Sequence, residues 1–197
     1  MKKTKIYNNP GNIEGNGWAG DTGKRYAGGR FVVFDSPEMG VRALIRDIRT
    51  KIADKEINGN LDKLINKYAP PHENPTKKYA NHIKKAVGKD VVTLEDATAV
   101  AKAIVDFENN ATSKAVYADP QIWETASKLA EMSLPKGTTL EKAKEMLPKP
   151  VKTADQEIPY PVTPDAQYGS MEELLNAKTG LENELTADPM GKFIKSL

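Results

Sequence analysis

Short apolar runs at helical spacing, several of them followed by proline or glycine, predict that most of this chain forms short helices. The longest run follows Ser36, a natural N-cap residue, and Pro37, which suits the first turn of a helix. It predicts an amphipathic helix over residues 37–54. The same reasoning predicts further helices over residues 61–69, 76–87, 93–107, 120–132 and 139–147. The sequence therefore predicts a mainly α domain.

A glycine-rich segment precedes the first helix and predicts a small β-hairpin region. Residues 8–34 have glycines at positions 11, 15, 17, 20, 23, 28 and 29 and end in the apolar run Phe31–Phe34. Glycine allows tight turns and close approach of the backbone. Trp18 and Tyr26 lie in the same segment, and their rings offer faces on which a sugar could stack. Together with the helices, the segment indicates the α+β class and a candidate carbohydrate cleft.

The C-terminal part of the chain differs in composition from the rest. Residues 148–169 contain five prolines and little apolar periodicity, which predicts an extended linker without a core of its own. Short helices are expected over residues 170–197, where apolar side chains have too little partner surface nearby. Residues 126–147 would connect this arm to a domain that ends near residue 125. We expect five side chains of the arm to dock on another protein: Leu174, Leu181, Leu185, Phe193 and Ile194.

Composition argues against several classes of protein and site. The chain has no cysteine and two histidines, so we expect no disulfide, no metal site and no cofactor. No stretch approaches the roughly 18 apolar residues that span a bilayer. The lysines near the start are not followed by the apolar region of a signal peptide, so a secretory route is not expected.

Charge is unevenly distributed along the chain. Residues 148–197 carry five Lys and eight Asp or Glu, a net charge of −3, which leaves +5 on residues 1–147. This asymmetry fits two different roles for the two parts, and it also fits ordinary solvated surface on both. The chain has no lysine-rich or arginine-rich block, so nucleic acid is not expected as the main partner.

Several short motifs occur in an order that resembles a known family. They are Asn8–Ile13, Trp18–Gly20, Phe31–Phe34, Gly40–Ala43, Tyr68–Pro71, Glu73–Thr76 and Tyr79. The set resembles a lysozyme-like domain of tailed-phage virion proteins, and it is similar to the second half of glucosaminidase-type murein hydrolases. The resemblance covers about residues 7–125. It implies a lysozyme-like helical domain with a small β-hairpin region, a cleft for peptidoglycan, and a protein made in the host cytoplasm and carried in the virion.

One residue that the resemblance implies is missing from its place. The glucosaminidase-type hydrolases carry a general-acid glutamate on a helix before the Asn-Asn element, and only seven residues precede that element here. Two alternatives follow. Either the domain is an inactive relative with a structural role, or another carboxylate supplies the proton.

Glu108 is the first candidate for that carboxylate. The alanine-rich helix ends in Ile104 to Glu108, which looks like the Ile-x-x-x-Glu helix end of lytic transglycosylases and goose-type lysozymes. In a circularly permuted lysozyme-like fold this helix would come last and would present Glu108 to the cleft. The alternative is a solvated glutamate at a helix end. Glu14, in the glycine-rich segment, is the next candidate.

Aromatic residues complete the expected cleft. We expect Trp18, Tyr26 and Tyr68 to line the sugar site, and Tyr79 to lie partly in the core and partly in the cleft. Apolar neighbours would favour the protonated form that a general acid needs. A hydrolase would add a second carboxylate at about 5–9 Å, whereas a lytic transglycosylase needs only one.

Three functions are open from the sequence alone. The first is a virion structural protein whose lysozyme-like head packs or binds, and whose arm docks on other virion proteins. The second is a virion-associated peptidoglycan hydrolase or lytic transglycosylase with Glu108 as general acid. The third is a free regulatory protein with other partners. The acidic arm over residues 148–197 favours the first, because small enzymes rarely carry an extended tail with unpartnered apolar helices.

Overall fold

Helices make up most of the structure, a computed structural model that describes residues 7–148. Within this range a two-stranded antiparallel hairpin precedes seven α-helices, and none of these helices combines the length and apolar character needed to cross a membrane. The expected mainly α class with a small β-hairpin is confirmed for these residues. The elements are β1 (Asp21–Tyr26), β2 (Phe31–Phe34), α1 (Pro37–Ala53), α2 (Leu61–Tyr68), α3 (Thr76–Val87), a 3₁₀ turn (Leu94–Asp96), α4 (Ala97–Glu108), α5 (Ala111–Val116), α6 (Pro120–Ala130) and α7 (Leu140–Glu145).

Two sequence predictions concern parts of the chain outside the described residues. One is the extended linker, from residue 149 onward. The other is the docking segment of residues 170–197, whose expected contact residues are Leu174, Leu181, Leu185, Phe193 and Ile194.

Local signals place the helix ends close to where the sequence predicts them. The Ser36 side chain accepts a hydrogen bond from the Met39 backbone N–H at 3.3 Å, and α1 begins at Pro37. Gly88 closes α3 in the left-handed conformation, with a φ of 75°. The pattern does not predict α5, because its six residues carry too few apolar side chains to show a periodicity.

α1 lies at the centre of the core, where it packs against α4 and α6. Its buried face includes an arginine as well as apolar side chains. Arg42 donates from Nε to the Leu129 carbonyl and from Nη2 to the Met132 carbonyl, both at 3.0 Å. These carbonyls lie at the C-terminal end of α6, which favours a positive charge. Burial lowers the pKa of Arg42 to about 10. The guanidinium therefore ties α1 to the end of α6.

The N-terminal segment runs beside the hairpin. β1 and β2 pair in antiparallel register, and on the other edge of β2 the Val32 N–H donates to the Ile13 carbonyl at 3.0 Å. Asn9 is buried at that junction. Its Nδ2 donates to the carbonyls of Ile13 and Val32, both at 2.9 Å, and its Oδ1 accepts from the Ile13 N–H at 2.8 Å. The second residue of the Asn-Asn element thus fixes the path of the loop that follows it.

The chain after α6 packs on the hairpin end of the domain. The Gly20 N–H donates to the Thr138 carbonyl at 2.7 Å, and the Gly137 N–H donates to the Trp18 carbonyl at 3.2 Å. α6 itself runs across residue 125, where the sequence places the end of the first domain. The segment that was expected only to connect is therefore in contact with the glycine-rich loop.

Candidate active site

A cavity of about 280 Å³ opens between the hairpin region and the helices. Its walls come from the loop before β1, the start of β2, one side of α1, the end of α2 with the following loop, and the end of α4. Four of the predicted site residues line it: Glu14, Trp18, Tyr68 and Glu108. The fold therefore brings both candidate acids and two of the candidate sugar-binding aromatic residues to one site.

Glu108 is the last residue of α4 and is half-buried at the cavity wall. The next residue, Asn109, donates from Nδ2 to the Pro10 carbonyl at 2.9 Å, which ties the end of α4 to the N-terminal loop. From that loop Asn12 donates its Nδ2 to Glu108 Oε2 at 3.2 Å. Tyr26 in turn donates its hydroxyl to Asn12 Oδ1 at 3.1 Å. A chain of hydrogen bonds therefore runs from the hairpin to the carboxylate.

The charge of Glu108 acts on three tyrosine hydroxyls and helps to raise the pKa of each. Burial and then the Glu108 charge raise the pKa of Tyr68, whose hydroxyl donates to the Gly11 carbonyl. Burial, followed by the charges of Tyr68 and Glu108, raises the pKa of Tyr79. For Tyr26, burial comes first, and its pKa rises to about 12. Three phenol groups therefore lie close enough to Glu108 for its charge to act on them.

The other three acids that line the cavity are paired with cations. Arg30 contacts Glu14 from Nε at 2.6 Å and Glu73 from Nη2 at 2.8 Å. Asp47 pairs with Lys51, one helical turn along α1, at 2.6 Å. The hydrogen bond from Arg30 lowers the pKa of Glu73. Among the described residues, Glu108 is the one acid of the cavity wall that has no Lys or Arg partner within 4.0 Å.

This difference between the acids has a chemical consequence. A neighbouring cation favours the ionised carboxylate, which can act as a base or stabilise positive charge. A general acid must instead carry a proton when the substrate arrives. The unpaired Glu108 suits the role of acid, whereas Glu14, the next candidate from the sequence, is held in an ion pair.

The predicted sugar-binding residues occupy different positions. Trp18 and Tyr68 line the cavity, and the Trp18 Nε1 donates to the Glu14 carbonyl at 2.9 Å, which fixes the indole. Tyr26 lies behind Asn12 and reaches the site through it. Tyr79 is fully buried and presents no surface on which a sugar ring could stack.

Sequence reasoning did not identify several residues of the site. Asn12, Arg30, Asp47, Lys51 and Glu73 all line the cavity, and none was predicted as a site residue. Asn12 and Glu73 lie in motifs of the resemblance, Asn8–Ile13 and Glu73–Thr76, so those motifs carry a usable signal. Arg30, Asp47 and Lys51 are charged residues on ordinary solvent-facing patterns, and only the fold brings them together.

Comparisons with known proteins add no assignment to this geometry. A scan against models of protein families finds no match, and a search of curated proteins finds no significant match either. Within residues 7–148, no group of three or more His, Asp or Glu side chains is arranged to hold a metal ion. The case for a function therefore depends on the cavity and the groups that line it.

Proposed function

We propose that the head of this protein is a lysozyme-like domain that cleaves the glycan strand of peptidoglycan, with Glu108 as general acid. The observation that carries the proposal is the position of Glu108. It lies at a helix end on the wall of a cavity that Trp18 and Tyr68 also line, and it has no cationic partner among the described residues. Glycosidic cleavage needs a cleft that holds the sugar and a carboxyl group that gives up a proton, and a hydrolase adds a second carboxylate.

The chemistry begins with proton transfer. Glu108 gives its proton to the glycosidic oxygen as the bond from that oxygen to the anomeric carbon breaks, and the sugar develops an oxocarbenium-like charge. In hydrolysis, water adds to the anomeric carbon and its proton passes to a carboxylate. In lytic transglycosylation, a hydroxyl of the same sugar adds instead and water is not consumed. Glu14, Glu73 and Asp47 are the carboxylates of the wall that could support the charge or receive the proton.

The cavity suits a short stretch of glycan. A volume of about 280 Å³ is close to the lower end of small-ligand pockets, roughly 300 Å³. Trp18, Phe31 and Tyr68 supply aromatic surface for the apolar faces of sugar rings. Asn74 lines the same cavity and can hydrogen-bond hydroxyl or acetamido groups.

Replacement of Glu108 tests the proposal. Glu108→Gln keeps the shape of the side chain and removes the acid, so clearing of a peptidoglycan suspension should fall by about a hundredfold or more. Glu124→Gln, at an exposed and ion-paired glutamate on α6, is the matched control and should clear like the wild type. Circular dichroism should show the same helix content in all three proteins.

Each result has a clear reading. If the wild type clears peptidoglycan and Glu108→Gln clears equally well, Glu108 is not the acid, and Glu14→Gln is the next variant to measure. If the wild type does not clear peptidoglycan or cleave soluble fragments of its glycan, the enzymatic proposal is wrong. Products with a reducing end would identify a hydrolase, and products without one a transglycosylase.

A structural role in a phage particle is the second candidate. It is favoured by the sequence of residues 148–197, which combines a proline-rich stretch with apolar residues such as Leu174, Leu181 and Phe193. We propose that this arm docks the head on other virion proteins. Deletion of residues 165–197 should leave a folded head that is no longer incorporated into its assembly. Normal incorporation of the shortened chain would contradict this role for the arm.

A further inference from the structure

We propose that Asn12 and Tyr26 are positioning residues that keep Glu108 aimed into the cavity in both of its protonation states. This inference depends on the proposed function, because it assigns a task to the neighbours of the proposed acid. It concerns two side chains that the sequence does not connect with each other or with Glu108. Asn12 and Glu108 are 96 positions apart in the chain, and Asn12 and Tyr26 are 14 apart.

Both partners are held in place independently of Glu108. Asn12 has a left-handed backbone, with a φ of 50°, which asparagine tolerates better than most residues. Its neighbour Ile13 is hydrogen-bonded to Asn9 at 2.8 Å, so the loop has a fixed path. The Tyr26 ring stacks on Tyr7 with 4.1 Å between centroids and 5° between planes. The Asn12 amide and the Tyr26 phenol are therefore both held by contacts that do not involve Glu108.

The amide of Asn12 can serve either form of the carboxyl group, because it has a donor end and an acceptor end. With Glu108 ionised, Nδ2 donates to Oε2 and Oδ1 accepts from the Tyr26 hydroxyl, as observed. With Glu108 protonated, a half-turn of the amide presents Oδ1 to the carboxyl O–H. Nδ2 then donates to the Tyr26 oxygen, whose hydroxyl rotates to accept. The chain of three groups is complete in both states.

The other groups around Glu108 are less suited to this task. Tyr68 donates its hydroxyl to the Gly11 carbonyl. The Tyr79 hydroxyl is buried near Glu108, and burial, followed by the Tyr68 and Glu108 charges, raises its pKa, but it makes no hydrogen bond of normal geometry among the described residues. The charged groups of the wall are already in ion pairs with one another: Arg30 with Glu14 and Glu73, and Lys51 with Asp47. Asn12 makes the direct hydrogen bond to Glu108.

Kinetic measurements separate positioning from binding. Asn12→Gly removes the amide and suits the left-handed backbone, and Tyr26→Phe removes only the hydroxyl. Both should lower kcat for glycan cleavage by about 10–100-fold, the scale of a misplaced catalytic group, and leave KM within about threefold. Asn12→Asp places a second carboxylate beside Glu108, so the alkaline limb of the pH profile should move up by about one unit. Glu124→Gln, at the exposed ion pair on α6, is again the control. Unchanged kcat in Asn12→Gly and Tyr26→Phe would overturn the proposal.

A spectroscopic measurement tests the same inference without activity. In ¹⁵N-labelled wild type, the side-chain amide signals of Asn12 should shift between about pH 3 and pH 7, where carboxyl groups titrate. The shift should vanish in Glu108→Gln and weaken in Tyr26→Phe. An Asn12 signal whose pH response persists unchanged in Glu108→Gln would overturn the inference. If the wild type proves inactive but the signals behave as expected, the proposed function fails while the coupling of the three groups stands.

Discussion

Three tyrosines near Glu108 have the same side chain but different roles, because their surroundings differ. Tyr68 lines the cavity, Tyr26 supports Asn12 from behind, and Tyr79 is part of the core. From the sequence, all three are aromatic residues near a presumed cleft. The role of each tyrosine depends on contacts with residues far away in the chain, and no local sequence pattern encodes such contacts. The sequence could therefore predict the set of residues, and only the fold assigns the roles.

The raised pKa values of these tyrosines predict that the folded head loses stability at alkaline pH. Burial, then the charges of Tyr7 and Glu108, raises the pKa of Tyr26 to about 12, against about 10 in an unfolded chain. A folded-state pKa above the unfolded value means that the stabilisation is complete below about pH 10 and is lost as the pH rises through 12. Tyr26 alone contributes at most about 2–3 kcal/mol to this change. Burial acts in the same direction on Tyr68 and Tyr79.

Urea unfolding at a series of pH values measures this effect. The free energy of unfolding should fall between about pH 10 and pH 12, together with the rise in absorbance of ionised tyrosine. Tyr26→Phe should show a smaller fall than the wild type over the same range. A free energy that stays constant to pH 12 would contradict the assignment.

At the level of elements, the sequence predicts what is local. The helix that starts at Pro37 and the helix that ends before Gly88 are confirmed because cap residues and apolar spacing act within a few positions. The cavity is different, since its wall combines two loops, the start of β2 and three helices. Glu108 and Trp18 were predicted through a resemblance. Arg30 was not, because its importance comes from contacts between elements.

Arg30 links two loops of the cavity wall, so we expect its replacement to weaken substrate binding. Arg30 directly precedes β2. It contacts Glu14 in the N-terminal loop and Glu73 in the loop after α2. Both ion pairs are exposed, so Arg30→Ala should change stability little. It should raise the KM for soluble glycan by about 3–10-fold, because the wall loses the contact that fixes these two loops. Lys24→Ala, at an exposed residue of β1, is the control.

Kinetics and unfolding of Arg30→Ala should be measured on the same samples. A raised KM with an unchanged free energy of unfolding shows that the two ion pairs of Arg30 shape the binding site. If KM stays at the wild-type value, the ion pairs of Arg30 have no role in binding, and the two loops hold their positions by other contacts.

For the molecule as a whole, the described structure extends the folded head beyond the end that the sequence suggested. Arg42, buried in the centre of α1, finds its acceptors at Leu129 and Met132. Further along, Thr138 accepts a hydrogen bond from Gly20 in the glycine-rich loop. A sequence pattern does not show these contacts, because they join residues more than eighty positions apart. Residues 126–148 therefore help to hold the cavity wall in place.

Two shortened chains test this extension. A chain of residues 1–148 keeps every contact described above and should unfold in one cooperative transition with helix content like that of the head. A chain of residues 1–125 removes the carbonyl acceptors of Arg42 and the second half of α6, so α1 loses much of the helix that it packs against. It also uncovers the core where Ala126, Leu129 and Ala130 are buried. We expect the shorter chain to lack a cooperative thermal transition in circular dichroism. If both chains melt at the same temperature, residues 126–147 are only a connection, as the sequence predicts.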